Sequence, residues 1–296
     1  MDPKRVAMIS GVSRLDDASF LFSAWNGLKS AREELGLETS IIEARLEDDP
    51  SEEIAYLAEQ GYQVVWAVGF ITSEVVTKCA ANYPDVTFIV VDASQEESGL
   101  PSNVLRILFR EDEGAFLAGV AAARASRTGH VGFVGGLEIP VIRRFAGGFE
   151  DGVERAGGVE LHSVFTDSFV SYAAGRRAAL KLIGERCDVI FHAAGAAGKG
   201  VIREVSEAGL KAIGCDIDQS FLAPATVIAS VVKRLDRVVP SLMSEWLVGR
   251  VAPGVERSYG IAEEAIDLTP VANVPGSSQI EQEISQLRKE LLQRND

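Results

Sequence analysis

Short apolar segments alternate with amphipathic helical segments along almost the whole chain, and this alternation limits the folds that it can adopt. It begins with a strand-like run at 6–10, followed by a helix predicted over 20–35. Further strands are predicted at 39–43, 64–68, 86–91 and 104–109, and further helices at 51–60, 73–82 and 111–126. Strands that alternate with helices in this way form a parallel sheet covered on both faces.

The alternation restarts at His130 and runs a second time. Strands are predicted at 130–136, 160–165, 189–192 and 211–215, and helices at 142–156, 172–185 and 198–207. The remainder departs from the repeat, with a short strand at 227–230, a helix at 231–247, short strands at 258–261 and 266–268, and a helix at 277–293. The chain is therefore predicted to be an α/β protein with two doubly wound parallel-sheet lobes.

The last quarter of the chain is interpreted as crossing back between the two lobes. The N-terminal lobe is predicted to contain residues 1–126 with about 231–258, and the C-terminal lobe residues 127–230 with about 266–296. The crossovers are expected near 125–128, 227–231 and 257–268. Three connectors of this kind would form a hinge.

Charge and composition exclude several classes of function. Asp and Glu number 43 against 29 Lys and Arg, and this balance argues against a nucleic-acid partner, which needs clustered basic residues. No apolar stretch approaches the ~20 residues that span a membrane. The three cysteines and three histidines are widely spaced, so the sequence predicts neither a metal site nor a cofactor.

The carboxyl ends of the strands are the places where an open parallel sheet binds ligands. The residues predicted there are Asp16, Asp17, Ser19, Phe20, Gly69, Phe70 and Asp92 in the first run, and the AAGAAG segment, Asp216 and Asp218 in the second. Each acid, serine or glycine could instead be an ordinary turn or capping residue. Together with two phenylalanines at loop positions, the acids favour a neutral polyhydroxylated ligand that carries a flat ring.

The sequence does not match the common motifs of phosphate-binding, hydrolytic or dinucleotide-binding enzymes. The segment AAGAAGKGV lacks the first glycine of a phosphate-binding loop and has Gly200 where Ser or Thr is needed. Neither GxSxG nor GxGxxG is found, so we predict a protein without catalytic residues. Lys233 could reach a ligand from the crossover region, or could equally form a surface ion pair.

Six sequence blocks carry a resemblance to a known family. They are DDASFLFSAWNGL, FREDEGAFLAG, GFVGGLEIPVIRRFAGGFEDG, VIFHAAGAAGKGV, IGCDIDQ and SVVKRLD. Together they resemble the basic membrane protein family of ABC-transporter substrate-binding lipoproteins, whose members include purine nucleoside receptors. The resemblance implies a type I periplasmic-binding-protein fold with a three-strand hinge, and a purine nucleoside bound in the cleft between the lobes.

The family pattern also implies particular ligand contacts. Aromatic rings stack on the purine, acids and a lysine bind the ribose, and a glycine-rich loop lies against the ligand. The matching positions are Asp17, Ser19, Phe20, Phe70, Asp92, Ala194, Gly195, Asp216 and Lys233. Ser19 is also predicted to cap the helix that follows. Leu21 stands where the family commonly has Asn, which leaves open a different flat-ring ligand such as riboflavin.

The resemblance further implies permease partners and a location outside the cytoplasm, with a lipid anchor to the cell membrane. The family's usual signal segment and lipidated cysteine are missing from the N-terminus as given. The expected explanation is a trimmed mature chain. The alternative is a cytoplasmic ligand-sensing regulatory domain of the same fold, which would apply if Met1 is the native start.

Overall fold

A computed structural model describes residues 3–10, 20–43, 50–93 and 99–294 of the chain. Its strands are β1 (Arg5–Ser10), β2 (Glu38–Glu43), β3 (Val64–Val68), β4 (Thr87–Val91), β5 (Val104–Phe109), β6 (His130–Gly135), β7 (Glu160–Phe165), β8 (Val189–Ala193), β9 (Lys211–Asp216), β10 (Val227–Lys233), β11 (Val255–Tyr259) and β12 (Ile266–Leu268). Its helices are α1 (Phe20–Leu35), α2 (Ser51–Glu59), α3 (Phe70–Cys79), α4 (Glu111–Ala125), α5 (Pro140–Ala156), α6 (Tyr172–Gly184), α7 (Gly198–Glu207), α8 (Leu235–Leu247) and α9 (Ser277–Arg294). None of these described helices combines the length and the apolar character that crossing a membrane requires.

The chain divides into two compact units. The first contains Met1–Phe109 with Arg234–Tyr259, and the second contains Arg110–Lys233 with Gly260–Asp296. The first change of unit therefore comes just before α4 and not near 125–128, where the sequence placed it. The reason is packing, because α4 lies along α5, β12 and α9 of the second unit although it follows β5 of the first.

The first unit has a six-stranded sheet in the order β11-β5-β4-β3-β1-β2, with every neighbouring pair parallel. All residues of β3 and β5 are buried, as expected for central strands covered by helices on both faces. The edge strands β2 and β11 are partly exposed and carry glutamates. This arrangement confirms the prediction of a doubly wound parallel sheet.

The second unit repeats the winding with the order β12-β10-β9-β8-β6-β7. Its strands are parallel except β12, which pairs antiparallel with β10. Counted in chain order within each unit, both sheets run 6-5-4-3-1-2. Equivalent strands can therefore be compared directly between the units.

The end of β10 differs from the sequence prediction. A helix was expected from residue 231, but β10 continues to Lys233 and α8 begins at Leu235. Val231 and Val232 pair with both β9 and β12, and β-branched residues suit a strand between two neighbours. Lys233 therefore lies at the carboxyl end of a strand, and the second change of unit follows it directly.

Candidate functional site

The carboxyl ends of β3 and β4 lie side by side in the first unit, paired in register up to Val68 and Val91. The Ser73 hydroxyl lies 2.8 Å from the Val91 carbonyl oxygen and 3.0 Å from that of Ala67, which ties both strand ends to α3. The next residue, Asp92, is 8% exposed and has a φ of 63°. Asp adopts this left-handed region more readily than most residues. Asp92 is thus held directly beyond β4.

Two half-buried phenylalanines open helices of the same unit. Phe20 is the first residue of α1 and Phe70 is the first residue of α3. The expectation that Phe70 lies in a loop is wrong, because Gly69, with a φ of 107°, makes the whole turn between β3 and the helix. Asp17 and Ser19 fall outside the described residues, so the cap by Ser19 stays a prediction.

In the second unit the glycine-rich segment follows β8. Ala194 is fully buried, and Gly195, with a φ of 54°, begins a single 3-10 turn over Gly195–Ala197. A Cβ atom at Gly195 would lie 3.1 Å from the Phe169 carbonyl oxygen. Both the backbone angle and the close approach therefore favour glycine here.

The two aspartates occupy equivalent positions. Asp92 directly follows β4, and Asp216 is the last residue of β9; each of these is the fourth strand of its unit. Asp216 has a φ of 72°, close to the 63° of Asp92. The same strand end therefore presents a carboxylate on a left-handed backbone in both units. The sequence predicted that each half ends a buried strand on one of these acids, and the structure adds their shared left-handed backbone conformation.

Lys233 forms a buried ion pair. Its Nζ donates a hydrogen bond of 2.9 Å to Oε1 of Glu111, and the residues are 2% and 0% exposed. Arg144 donates from Nε to the other oxygen, Oε2, at 2.6 Å. The alternative of a surface ion pair for Lys233 is therefore wrong. Glu111 was not predicted as a partner of Lys233; the sequence predicted only the helix in which it lies.

Asp216 and Lys233 act on the same neighbour, the Cys215 thiol. Burial raises the pKa of Cys215 well above its usual value, Asp216 raises it further, and the positive charge of Lys233 opposes the shift. The Asp216 Oδ1 atom lies 3.7 Å from the Cys215 sulfur. The structure thus brings a carboxylate and an ammonium group together at the adjacent ends of β9 and β10.

A buried polar network supports the end of β9. His192 Nε2 donates to Gln219 Oε1 at 2.8 Å, and the same oxygen accepts a hydrogen bond from the Cys215 amide at 3.0 Å. Burial lowers the pKa of His192 to about 4, although the bond to Gln219 opposes this, so the ring is neutral near pH 7. The Gln219 amide in turn donates to Ser230 Oγ at 3.0 Å. Gln219 was not predicted as a functional residue, although it is the last residue of the IGCDIDQ block.

These groups suit a polar ligand that carries hydroxyls. A carboxylate can accept hydrogen bonds from two hydroxyl groups, and an ammonium group offers three donors. The glycine-rich turn at Gly195 lets a ligand approach the backbone closely. Each unit thus presents hydrogen-bonding groups at the strand ends where ligands bind in such sheets.

Comparison with known proteins identifies the family. Residues 4–295 match the model of a family described as PnrA-like ABC transporter substrate-binding proteins. Basic membrane protein A of Borreliella burgdorferi is 32% identical over 296 residues, which cover 99% of this chain and 86% of that protein. The ABC transporter nucleoside-binding protein BmpA of Lactococcus lactis subsp. cremoris is 27% identical, with 89% of this chain and 81% of that protein covered.

A solved structure supports the fold independently. An ABC transporter solute-binding protein from Aeropyrum pernix superimposes with a TM-score of 0.85 at 24% identity, covering 99% of this chain and 92% of that chain. At this identity the likeness concerns the fold alone, and it is the type I periplasmic-binding-protein fold that the sequence predicted. Since the family model matches nearly every residue, the chain belongs to the PnrA-like, or basic membrane protein, family of ABC transporter substrate-binding proteins.

Proposed function

We propose that this protein binds a purine nucleoside and delivers it to the permease of an ABC transporter, without chemical turnover. The observation that carries the proposal is the pair of aspartates, Asp92 and Asp216, held on the same backbone conformation at equivalent strand ends. A relative whose name states nucleoside binding supports the ligand class. In this proposal the ribose hydroxyls donate to these carboxylates.

The remaining predicted contacts have complementary roles. Phe20 and Phe70 stack on the purine, since aromatic faces pack on flat rings. Lys233, whose ammonium has three donors, bonds to a ribose oxygen while it keeps its bond to Glu111. Ala194 and Gly195 line the ligand through their backbone. Asp17 and Ser19 complete the set and rest on the sequence resemblance alone.

Family membership also supports a location and partners. Substrate-binding proteins of ABC transporters meet their permease outside the cytoplasm, and the family resemblance adds a lipid anchor to the cell membrane. We extend both features to this protein as part of the proposal. A chain isolated with its native N-terminus would test them through mass spectrometry of a lipid-modified cysteine.

Calorimetric titration is the direct test of the ligand. Adenosine, guanosine and inosine are each titrated, and at least one should bind with a Kd near or below 1 µM, which corresponds to about −8 kcal/mol. A 2′,3′-dideoxynucleoside should bind at least about 30-fold more weakly, because a hydrogen bond to a charged group contributes about 2 kcal/mol. Riboflavin binding without nucleoside binding would replace the proposed ligand, and release of free base during incubation would refute the absence of turnover.

Asparagine variants test the aspartates without disturbing the backbone. Asn also adopts the left-handed region, so Asp92→Asn and Asp216→Asn remove charge but not conformation. Each should weaken nucleoside binding about 30-fold. Asp218→Asn is the matched control, since Asp218 is exposed and its carboxylate accepts from the Ser220 amide at 2.9 Å. Equal effects of Asp216→Asn and Asp218→Asn would exclude Asp216 from the ligand contacts.

A further inference from the structure

Two histidines and a glutamate meet at the amino-terminal ends of β6 and β7, in the second unit. His130 is the first residue of β6, and in the parallel register it pairs with Glu160, the first residue of β7. His162 lies two residues further along β7 and therefore on the same face as Glu160. The cluster is at the opposite ends of the strands from Asp216 and Gly195, so it is separate from the proposed nucleoside contacts.

Two imidazole nitrogens and the two carboxylate oxygens of Glu160 have the spacing of a metal coordination shell, and one atom from each residue can be chosen so that all three lie within 4.8 Å of one another. His130 Nδ1 lies 3.2 Å from His162 Nε2. Glu160 Oε1 lies 3.4 Å from His162 Nε2, and Glu160 Oε2 lies 3.7 Å from His130 Nδ1. Tetrahedral zinc with bonds of about 2.0–2.1 Å keeps its ligand atoms about 3.4 Å apart. The observed separations thus bracket the value that zinc requires.

A second carboxylate lies behind one of the histidines. Glu185, which follows α6, has Oε2 at 3.4 Å from Nδ1 of His162, the ring nitrogen that faces away from Glu160. Histidines that bind a metal usually donate their other N–H to a carboxylate or carbonyl in this manner. The two imidazole side chains are 20% and 22% exposed, so a cation from solvent can reach them.

The surroundings of the cluster are negative. Burial raises the pKa of the neighbouring Cys187 thiol to about 12, with smaller contributions in the same direction from Glu185, Asp188 and Glu160. The carboxylates of Glu160 and Glu185, which lie beside the His162 ring, would attract a divalent cation to this place.

We propose that His130, His162 and Glu160 form a zinc site, with Glu185 orienting His162 and water completing the tetrahedron. Two imidazoles with one carboxylate select a borderline transition metal over Mg²⁺ or Ca²⁺, which prefer shells of oxygen alone. β7 is the edge strand of its sheet, and β6 is its neighbour. A metal at this point clamps the edge strand to the sheet. The sequence did not predict this site because His130 and His162 are far apart along the chain.

Calorimetric titration of the untagged 296-residue chain with ZnCl₂ tests the site. The expected result is one ion per chain with a Kd in the micromolar range or below, and a higher Tm in the presence of zinc, because a ligand that binds only the folded state stabilises it. Cobalt provides a spectroscopic check, since tetrahedral Co²⁺ absorbs visible light strongly. No binding at about 100 µM zinc, well above the expected Kd, would overturn the proposal.

Variants locate the bound ion. The double variant His130→Ala/His162→Ala should weaken zinc binding at least tenfold and abolish the rise in Tm, and a smaller loss would overturn the proposal. Glu185→Gln should weaken binding about tenfold, as changes behind a ligand do. The control Glu150→Gln removes an exposed carboxylate of α5 and should leave the affinity unchanged. Circular dichroism of each variant without metal verifies its fold, and because both side chains are partly exposed the double variant should fold.

Discussion

The two units are wound alike, and each holds a helix that follows a strand of the other. Helix α4 follows β5 of the first unit but packs on α5 in the second, and α8 follows β10 of the second unit but packs on α1 in the first. Helices α1 and α5 are themselves equivalent, since each follows the first strand of its unit. The packing of α4 on α5 can therefore be compared with the packing of α8 on α1.

Helices α4 and α5 pack more closely than α8 and α1 do. Three glycines mark the contact of α4 with α5, where Cβ atoms at Gly119, Gly148 and Gly152 would overlap backbone atoms of Phe149, Asp112 and Phe116 respectively. In the first unit Gly27 of α1 is the corresponding residue, and its Cβ would lie 2.7 Å from the Leu235 carbonyl oxygen. Helix α4 is thus held by backbone contact along its length, whereas the contact of α8 is less close.

The acids in the first turn differ in burial. Glu111 of α4 is 0% exposed and binds Lys233 and Arg144. Asp236 of α8 is partly exposed and binds Arg234 and, through its amide, the Ser23 hydroxyl at 3.0 Å. Burial raises the pKa of Asp236, but the bonds from Arg234 and Ser23 outweigh it and lower the pKa overall. The second unit therefore depends on buried charge and close packing, and the first on a solvent-facing polar contact.

The two units should differ most in how much stability they lose when these first-turn acids, Glu111 and Asp236, are removed. Glu111→Ala takes away a counter-charge of the buried Lys233 ammonium and should lower the free energy of unfolding by about 3–5 kcal/mol. Asp236→Ala should lower it by about 1 kcal/mol, because its partners stay solvated. Calorimetric unfolding of both variants measures the two losses, and the transition of each unit is fitted separately. An equal loss of stability in the two variants would contradict the conclusion that the second unit depends more on buried charge than the first.

Acidification should act through the second unit. His192 lies in this unit, and the first unit contains no histidine. The pKa of His192 is lowered to about 4 in the folded state against 6.5 as its ordinary value. Between these values the unfolded state binds the extra proton, so stability is fully present above pH 6.5 and falls by about 3 kcal/mol on acidification to pH 4.

The variant His192→Gln keeps a donor for Gln219 but cannot titrate. Its unfolding free energy should change less between pH 7 and pH 4.5 than that of the unmodified protein, by about 2–3 kcal/mol. Urea unfolding at several pH values measures the difference. Parallel curves for the two proteins would mean that His192 does not control the acid sensitivity.

Substitutions at the glycines of the helix contacts should give the smallest difference in stability between the two units. Gly152→Ala would force α4 and α5 apart and should lower stability by about 2 kcal/mol, after the roughly 1 kcal/mol that alanine gains in a helix. Gly27→Ala meets a less severe clash, and we expect a loss below about 1 kcal/mol. Gly147→Ala is the control, because a Cβ there meets nothing within 4 Å. This control should stabilise α5 slightly. The Tm values of the three variants give their order of stability.

The alternating strands and helices were predictable because their periodicity is local. Helix α1 begins and ends where the sequence placed it, and so does β3. The unit that holds α4 was not predictable, since its glycines meet α5 only in the folded chain. The length of β10 was missed because a short apolar run suits a strand or a helix equally.

The positions of several candidate site residues were predictable for the same reason. Acids and glycines at strand ends stand out locally, and the structure places Asp92, Gly195 and Asp216 there. The partner of Lys233 lies 122 residues away in the sequence, so no spacing could reveal Glu111. His130 and His162 likewise meet only because β6 and β7 are neighbours in the sheet.

The exchange of helices has a consequence for synthesis on the ribosome. The contact between Ser23 and Asp236 joins residues 213 positions apart, so α1 leaves the ribosome long before α8 exists to cover it. At about 5–20 residues per second the delay is roughly 10–40 s. During that time the nascent first unit has no β11 at the edge of its sheet and no α8 against α1. Its apolar surface is open to chaperones or to other nascent chains, and release of the first 109 residues alone should yield an aggregating fragment.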